Sequence, residues 1–558
     1  MKTCLVLSDF NISNFNALLS NHGDLPSLRV IEAPFGEVHS KIVDDMSACW
    51  SEKIDVVVVW TLPQSVIHSY NHVLMSEKVN AYKLMEEVDQ YTDLLLTLRS
   101  RADVVLVPTW ATPSYDRGLG LLNFQHELGA RNLLSMMNLR LAEKLSKLSN
   151  FFLLDTQRWI ESIGSRSFSP KLWYMAKIAF GIDVFKKAAD EVKIALRAIG
   201  GHAKKLIILD LDNTLWGGIV GDVGKDNIIL GGHDAEGEAF VDFQRSLKAL
   251  SNRGILLGIV SKNEESTALD AIQSHPEMVL KMEDFAGWRI NWQDKAENVI
   301  ELVSDLNLGL EAVVFIDDNL AERARVREAL PDVYVPEWPH DICLYRKTLQ
   351  ELTCFDTPYV GEEDRQRTAM YVSERQRSGL RAQLNSLEDW LKSLEMRLTV
   401  EALTKSNLPR VAQLLNKTNQ MNLSTRRLSE ADLLCWATSK DNYIWTLRVA
   451  DRFGDSGLTG LVSAHRDGNT LKIVDFVLSC RVFSRDIESY MIELVVEKAR
   501  NLGCRYVIAE YVDNNKNKPT LEFFIKSGMR RISQKYFCIF VSRYVRKIYH
   551  YEVSNNNG

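Results

Sequence analysis

Short apolar runs separated by amphipathic stretches set the rhythm of the chain. Runs at residues 4–7, 56–60, 104–107 and 151–154 are four or five residues long, with helical patterns between them, notably over 132–148. Buried strands alternating with helices at this spacing predict a parallel, doubly wound sheet. The same rhythm resumes with runs at 206–209, 254–260 and 312–316. Residues 355–378 are then rich in Arg, Glu and Asp with few large apolar positions, which predicts a linker or an exposed helix. Residues 384–398 carry apolar positions at helical spacing. From 397 onward the order becomes strand, helix, strands, helix, strand. Its core is the runs 444–449, 457–463 and 471–478, the amphipathic stretch 487–502 and the run 506–510. The expected division is 1–198, 199–354, a linker and helix at 355–395, and 396–550. A length of 558 residues leaves room for about three domains.

Composition narrows the function classes. At 46% hydrophobic and 25% charged, the chain is ordinary for a globular protein. A net charge of −6, with no basic run, argues against nucleic-acid binding. No apolar stretch approaches the length of a membrane span. The first residues turn polar too soon for a signal peptide and read as a first strand. The 8 cysteines are scattered without a C-x-x-C pair, which fits a reducing cytoplasm and argues against a zinc or redox motif.

The chemistry concentrates in Leu206-Ile-Ile-Leu-Asp-Leu-Asp-Asn-Thr214. A buried strand delivers Asp210 and Asp212 with Leu211 between them, so both carboxylates point one way if strand geometry persists. Two carboxylates at the end of an apolar strand are costly to build without a cation. They suit one Mg²⁺ and one nucleophilic carboxylate. The plainer alternative is a strand followed by an Asp-Asn turn. A second apolar strand ends in Asp317-Asp318-Asn319, a third in Ser261-Lys262-Asn263, and Lys295 opens a helical pattern after Asn291-Trp-Gln-Asp.

These four pieces, in this order, resemble the four motifs of the haloacid dehalogenase (HAD) superfamily of phosphotransferases. The resemblance implies Asp210 as nucleophile and Asp212 as general acid and then base. It implies Ser261 as a phosphoryl hydrogen-bond donor and Lys295 as the neutralising cation. Mg²⁺ would be held by Asp210, Asp212 (through its backbone carbonyl), Asp317 and Asp318. Which of Asp317 and Asp318 binds directly stays open. Lys295 also reads as a solvated helix-start lysine, and Ser261 as an N-cap ahead of Glu264.

The flanking regions carry weaker signals. Ser8-Asp9-Phe10-Asn11 resembles the nucleophile block of SGNH-type esterases. Asp155-Thr-Gln-Arg-Trp159 lacks the Asp-x-x-His pair such an enzyme uses. The N-terminal domain therefore reads as an SGNH-like scaffold without esterase activity. The C-terminal pattern resembles the GNAT acyltransferase fold, in which a loop at a helix N-terminus cradles pyrophosphate. Here that loop, Arg481 to Asp486, lacks the usual glycines. Cys480, flanked by Arg481 and Arg485, reads either as a nucleophilic thiolate or as an inert buried cysteine. The polar cluster Lys417-Thr-Asn-Gln-Met-Asn-Leu-Ser-Thr-Arg-Arg427 offers Asn419, Asn422, Arg426 and Arg427, either as a clamp for a carboxylate or phosphate or as a helix cap and turn.

Leu209-Asp-Leu-Asp-Asn-Thr-Leu-Trp-Gly-Gly218, Gly221-Asp222, Phe315-Ile-Asp-Asp-Asn319, the Asn416–Arg427 stretch and Ser479-Cys-Arg-Val482 together resemble the FkbH-like family, HAD subfamily IIIC. The implied fold class is α/β: a central HAD-type doubly wound parallel sheet, flanked by an SGNH-like α/β domain and a GNAT-like α+β domain. The implied function is Mg²⁺-dependent removal of phosphate from a three-carbon unit derived from 1,3-bisphosphoglycerate. The glyceryl group then passes to the phosphopantetheine arm of an acyl carrier protein in polyketide or related biosynthesis. Catalytic residues would be Asp210, Asp212, Ser261, Lys295 and Cys480. Thr214, Asn263, Asn419, Asn422, Arg426 and Arg427 would contact substrate. One alternative is a small-molecule or carrier-linked phosphatase or acyl modifier in surface-glycan biosynthesis. Another leaves only the HAD site active, with the flanking domains as scaffolds that dock a carrier.

Overall fold

The computed structural model describes residues 1–20, 25–44, 46–232, 234–384, 386–418, 421–424, 426–479, 482–514 and 517–556. Cys480 and Asn419, two of the expected site residues, lie outside the described residues. The chain forms two compact units. The first comprises residues 1–207, 309–315 and 330–361, the second 208–308, 316–329 and 362–558.

In the first unit, β1 (Lys2–Ser8), β2 (Leu28–Glu32), β3 (Ile54–Trp60), β4 (Ala102–Pro108) and β5 (Phe151–Leu154) form a sheet of order β2-β1-β3-β4-β5. All four pairings are parallel. The apolar runs are continuous because both faces are covered. Leu5, Leu7, Val57, Val59, Val105 and Val107 enter one core; Cys4, Val6, Val56, Val58, Val104 and Leu106 enter the other. That split is the two-residue period of a strand. Strand order reverses at β1 and β3, the place where doubly wound sheets bind ligands. There both carboxylate oxygens of Asp9 accept the Leu62 N–H, at 3.1 and 3.0 Å. Burial pushes the Asp9 pKa up to about 6.

The catalytic candidates sit at the ends of a four-stranded sheet of order β8-β7-β6-β9, built from β6 (Leu206–Leu209), β7 (Leu256–Ser261), β8 (Phe285–Ile290) and β9 (Val313–Ile316). β7 and β8 run parallel. β6 and β9 are four residues each and buried throughout, so polar atoms first become useful just past their ends.

The second unit also contains an eight-stranded sheet. Its strands are β10 (Arg397–Glu401), β11 (Asn442–Asp451), β12 (Gly454–Asp467), β13 (Thr470–Leu478), β14 (Tyr506–Glu510), β15 (Arg530–Arg531), β16 (Tyr536–Phe540) and β17 (Glu552–Asn556). The order is β15-β16-β14-β13-β12-β11-β10-β17. β10 to β13 pair antiparallel, β13 and β14 parallel. A parallel pair needs a crossover, supplied by the helix Ile487–Asn501, whose apolar face closes the core on the sheet. The β13–β14 pairing ends at Ile473 opposite Ala509. Beyond it, residues 421–423 lie against β13: the Leu423 N–H donates to Phe476 O at 3.1 Å and the Leu478 N–H to Met421 O at 3.0 Å. Val512 N–H donates to Leu423 O at 3.0 Å, so this segment fills the splay between the two strands.

The charged stretch expected as a linker or exposed helix overlaps the helix Arg367–Gln383, and that helix is not solvated on all sides. Arg375 donates to Phe285 O at 2.9 Å and stacks on Trp288. Arg377, 3% exposed, forks onto Asp451 at 2.7 and 2.8 Å. Arg485 joins the same cluster through Asp451 and Glu374. The arginines that make the sequence look solvated form this buried network.

Candidate active site

Asp210 follows directly on β6, and its backbone N–H donates to Ile316 O at 3.1 Å. That bond brings the end of β6 beside the end of β9. Asp317 and Asp318, just past β9, thereby join Asp210. One carboxylate oxygen from each of the three lies within 4.8 Å of the others. Asp210 is 7% exposed and Asp317 fully buried.

Lys295 is the single cation bound into this cluster among the described residues. Its Nζ lies 3.0 Å from Asp210 Oδ2 and 2.7 Å from Asp317 Oδ2. The residue opens the helix Lys295–Asp305, N-capped by Asp294, and is buried rather than solvated. Burial alone pushes a lysine pKa down; the charges of Asp210 and Asp317 outweigh it and the net direction is up. Burial, then the Asp210 charge, pushes Asp317 up to about 6 despite Lys295. Asp318 is raised by the same two causes. Three carboxylates against one ammonium leave the pocket short of positive charge. Asp210 Oδ1 is buried and has no hydrogen-bond partner. A hard divalent cation that takes oxygen ligands fits this donor set.

The chain reaches Asp212 through a tight turn. Asn213 adopts φ +55°, and its side chain accepts the Gly218 N–H at 2.9 Å. The Asp212 carboxylate has three donors of its own. Oδ1 accepts Trp216 Nε1–H at 2.9 Å and the Val220 N–H at 3.1 Å, and Oδ2 accepts Asn263 Nδ2–H at 2.8 Å. Burial raises its pKa. The Trp216-Gly217-Gly218 signature thus has a local meaning. Trp216, fully buried, holds Asp212 by its indole N–H. Gly217 exchanges backbone hydrogen bonds with Ile229, and a Cβ there would stand 2.9 Å from Ile229 Cβ and 3.0 Å from Phe240. Gly218 sits at φ +91°.

Thr214, also fully buried, donates to Asp318 Oδ1 and accepts the Asp318 N–H, both at 3.2 Å. Ser261 ends β7 at 1% exposure, and its carbonyl accepts the Asn291 N–H at 3.1 Å. The N-cap of the next helix, Glu265–Ser274, is Glu264, not Ser261.

In the eight-stranded sheet, Arg426 forks onto the buried Asp475, with Nε to Oδ1 at 3.1 Å and Nη2 to Oδ2 at 2.5 Å. Arg427 donates to Leu415 O and Asn416 O, near the C-terminal end of the helix Leu408–Lys417, the arrangement of a helix cap. Asn422 is fully buried; its Nδ2–H donates to Leu415 O and Thr418 O.

Residues 19–195 match the family "FkbH, N-terminal domain". Over that stretch the chain is FkbH-like. It is similar to a solved structure from Bacteroides fragilis, described as the N-terminal part of the protein BF1531, containing a phosphatase domain complexed with Mg. That match has 29% identity and a TM-score of 0.58, and covers 64% of this chain and 94% of that one. A GNAT-family acetyltransferase from Staphylococcus aureus matches at 8% identity over 26% of this chain and 99% of its own. Spermidine N-acetyltransferase from Vibrio cholerae matches at 12% over 26% and 96%. With TM-scores of 0.21, these two add nothing to what the strand order of the C-terminal sheet already gives. No curated protein matches the chain.

One residue of this site, Arg323, is not evident from the sequence. Arg323, 3% exposed, donates from Nη1 to Asp317 O and Asp318 O, both at 2.7 Å, and so fixes the turn that aims both carboxylates. The Asn319 N–H donates to Asp317 Oδ1 at 2.8 Å. A basic residue one turn into the helix Leu320–Ala329 was the available signal, but in sequence it is indistinguishable from the exposed arginines beside it.

Proposed function

We infer that this FkbH-like protein is a Mg²⁺-dependent phosphatase working through Asp210. The observation that carries the reading is the buried triad Asp210, Asp317 and Asp318, with Lys295 bridging two of them and Asp210 Oδ1 left unpaired. The phosphatase domain of the B. fragilis relative, described with Mg, supports it. Asp210, Asp317 and Asp318, with the backbone carbonyl of Asp212, would hold the cation. When bound, it supplies positive charge for the transferring phosphoryl oxygens and offsets the excess of carboxylates.

The chain's own residues perform the rest. Asp210 attacks phosphorus and forms an aspartyl-phosphate as the bond to the leaving oxygen breaks. Asp212, whose raised pKa suits it to hold a proton, gives that proton to the leaving oxygen. It then takes a proton from the water that hydrolyses the phosphoenzyme. Trp216, Val220 N–H and Asn263 keep its carboxylate oriented. Lys295 pairs its ammonium with the Asp210 carboxylate and positions it. Ser261 would donate to a phosphoryl oxygen, and Thr214 would hold Asp318.

The substrate on this reading is a phosphorylated three-carbon unit derived from 1,3-bisphosphoglycerate, its glyceryl group passing to the phosphopantetheine thiol of an acyl carrier protein in the cytoplasm. Cys480 would carry the group between them, and Asn419, Asn422, Arg426 and Arg427 would serve that transfer. The SGNH-like module at 1–198 and the GNAT-like module at 396–550 would flank a HAD module at 199–354, with 355–395 connecting. Phosphate release from a carrier-linked or small glycan precursor, without acyl transfer, is favoured instead by one observation: residues 421–423 fill the splay between β13 and β14.

Incubation with Mg²⁺, 1,3-bisphosphoglycerate and a carrier protein tests the reading. Expected are phosphate release and a glyceryl adduct on the carrier by intact-mass measurement. Asp210→Asn should lower turnover by about 10³-fold or more, as loss of a nucleophile does. Full turnover in that variant refutes the phosphatase. Phosphate release with no adduct refutes only the transfer.

A further inference from the structure

A cavity of about 640 Å³ lies on the eight-stranded sheet, walled on one side by Ser424, Arg426 and Trp436. Its floor is apolar, from Ile473, Val474 and Val512. Its polar groups are arranged with unusual economy. Ser424 Oγ is buried and has no hydrogen-bond partner, a state that a bound ligand group would relieve.

The tautomer of His465 follows from its neighbours. Asn442 Nδ2–H donates to Trp436 O at 2.7 Å, so Asn442 presents its Oδ1 as an acceptor. His465 Nδ1 lies 2.6 Å from that oxygen and must therefore carry the proton. In that tautomer Nε2 of His465, a residue that lines the cavity, is a lone-pair acceptor suited to a hydroxyl.

The cations are half committed. Arg426 spends Nε and Nη2 on Asp475 and lies over the Trp436 ring at 4.7 Å. Its Nη1 is left to donate. Lys472, opposite His465 on the neighbouring strand, gives one N–H to Glu510 at 2.7 Å and has two more. Each cation is already paired with one acid, so the walls are near neutral. What remains is a few short-range N–H donors, enough to hydrogen-bond one carboxylate, with no net positive field to hold a phosphate dianion.

We propose that this cavity binds a small hydroxycarboxylate. Its carboxylate takes the spare donors of Arg426 and Lys472, its hydroxyl bonds Ser424 Oγ and His465 Nε2, and its carbon chain rests on the apolar floor. The site is separate from the carboxylate triad, and the proposal does not depend on the phosphatase reading.

Calorimetric titration of the full chain with D-glycerate, L-lactate, propionate and glycerol tests it. Glycerate and lactate bind at about millimolar Kd or tighter. Propionate, which lacks the hydroxyl, and glycerol, which lacks the carboxylate, bind at least about tenfold more weakly. His465→Ala and Lys472→Met change side chains with solvent access and weaken glycerate binding by about tenfold or more. Their melting temperatures stay within a few degrees of the wild type. Three results each overturn the assignment: no glycerate binding to the wild type, propionate binding as tightly as lactate, or unchanged glycerate affinity in both variants.

Discussion

Replacing Lys295 with methionine removes the one ammonium from the carboxylate triad while nearly conserving volume. At separations of 3.0 and 2.7 Å and an effective dielectric of about 20, the lost attraction is about 5–6 kcal/mol per carboxylate. Against this stands the desolvation of the lysine itself, several kcal/mol, which the variant no longer bears. The expected net loss is about 3–5 kcal/mol in Mg²⁺-free buffer. For a unit of ordinary domain size this is on the order of 10 °C in Tm. The loss depends on pH. Asp317 already titrates near 6 in the folded protein because burial, then the Asp210 charge, pushes it up; without Lys295 it rises further. The unfolded carboxyl titrates near 4. A folded-state pKa above the unfolded one gives stability that is present below about pH 4 and lost as pH rises through the folded value. The Asp317 share of the Lys295→Met deficit is therefore small near pH 4 and full near pH 8. Mg²⁺ supplies the missing charge, so saturating Mg²⁺ should raise the Tm of the variant more than that of the wild type. Thermal melts at pH 5 and 8, with and without Mg²⁺, read all of this. A deficit equal at both pH values and indifferent to Mg²⁺ refutes the electrostatic account of the cluster.

Gly217→Ala should cost about 1–3 kcal/mol and lower turnover, because the new methyl meets Ile229 Cβ at 2.9 Å beside the turn that holds Asp212; urea unfolding and phosphate-release rates check both. Arg377→Met leaves the buried Asp451 with Arg485 alone and should destabilise the eight-stranded sheet by about 3 kcal/mol or more, read as earlier hydrogen exchange in β11 and β12. Asp9→Asn should stabilise the protein at pH 8 by about 2–3 kcal/mol, since the folded pKa near 6 lies about two units above the unfolded value. That gain should fade below about pH 4; a gain that persists there refutes burial as its cause.

The clearest runs in the two parallel sheets are apolar strands, most of them covered on both faces. The runs at 4–7, 56–60, 104–107, 151–154, 206–209 and 312–316 all lie within strands or their ends, because a strand covered twice has no polar positions to blur the signal. β8, Phe-Ala-Gly-Trp-Arg-Ile, was not legible; Trp288 and Arg289 are only partly covered, which broke the pattern. β17 carries polar residues because it is an edge strand, paired only with β10. Of the candidate site, the spacing of Asp210, Asp317, Asp318 and Lys295 was visible, but the donors that hold the Asp212 carboxylate were not: the Trp216 indole, the Val220 N–H and Asn263 reach it from a turn and from past the end of β7.

The C-terminal half shows where charge counted along a sequence misleads. Arg485, five residues from Cys480, suggests a cation that would favour a thiolate. In the fold Arg485 is 1% exposed and lies 3.2 Å from Asp451 and 2.7 Å from Glu374, with Arg377 on the same acids. Two arginines meet two carboxylates, and burial pulls the Arg485 pKa down in spite of both acids. A cation neutralised this closely projects little field beyond its own partners. What Arg485 supplies to its loop is therefore position rather than charge: it ties the loop to the helix Arg367–Gln383, whose other contacts reach β8 through Arg375. A thiol-based transfer step near this loop would need its activating base from some other group, and that requirement is independent of whether Asp210 hydrolyses phosphate.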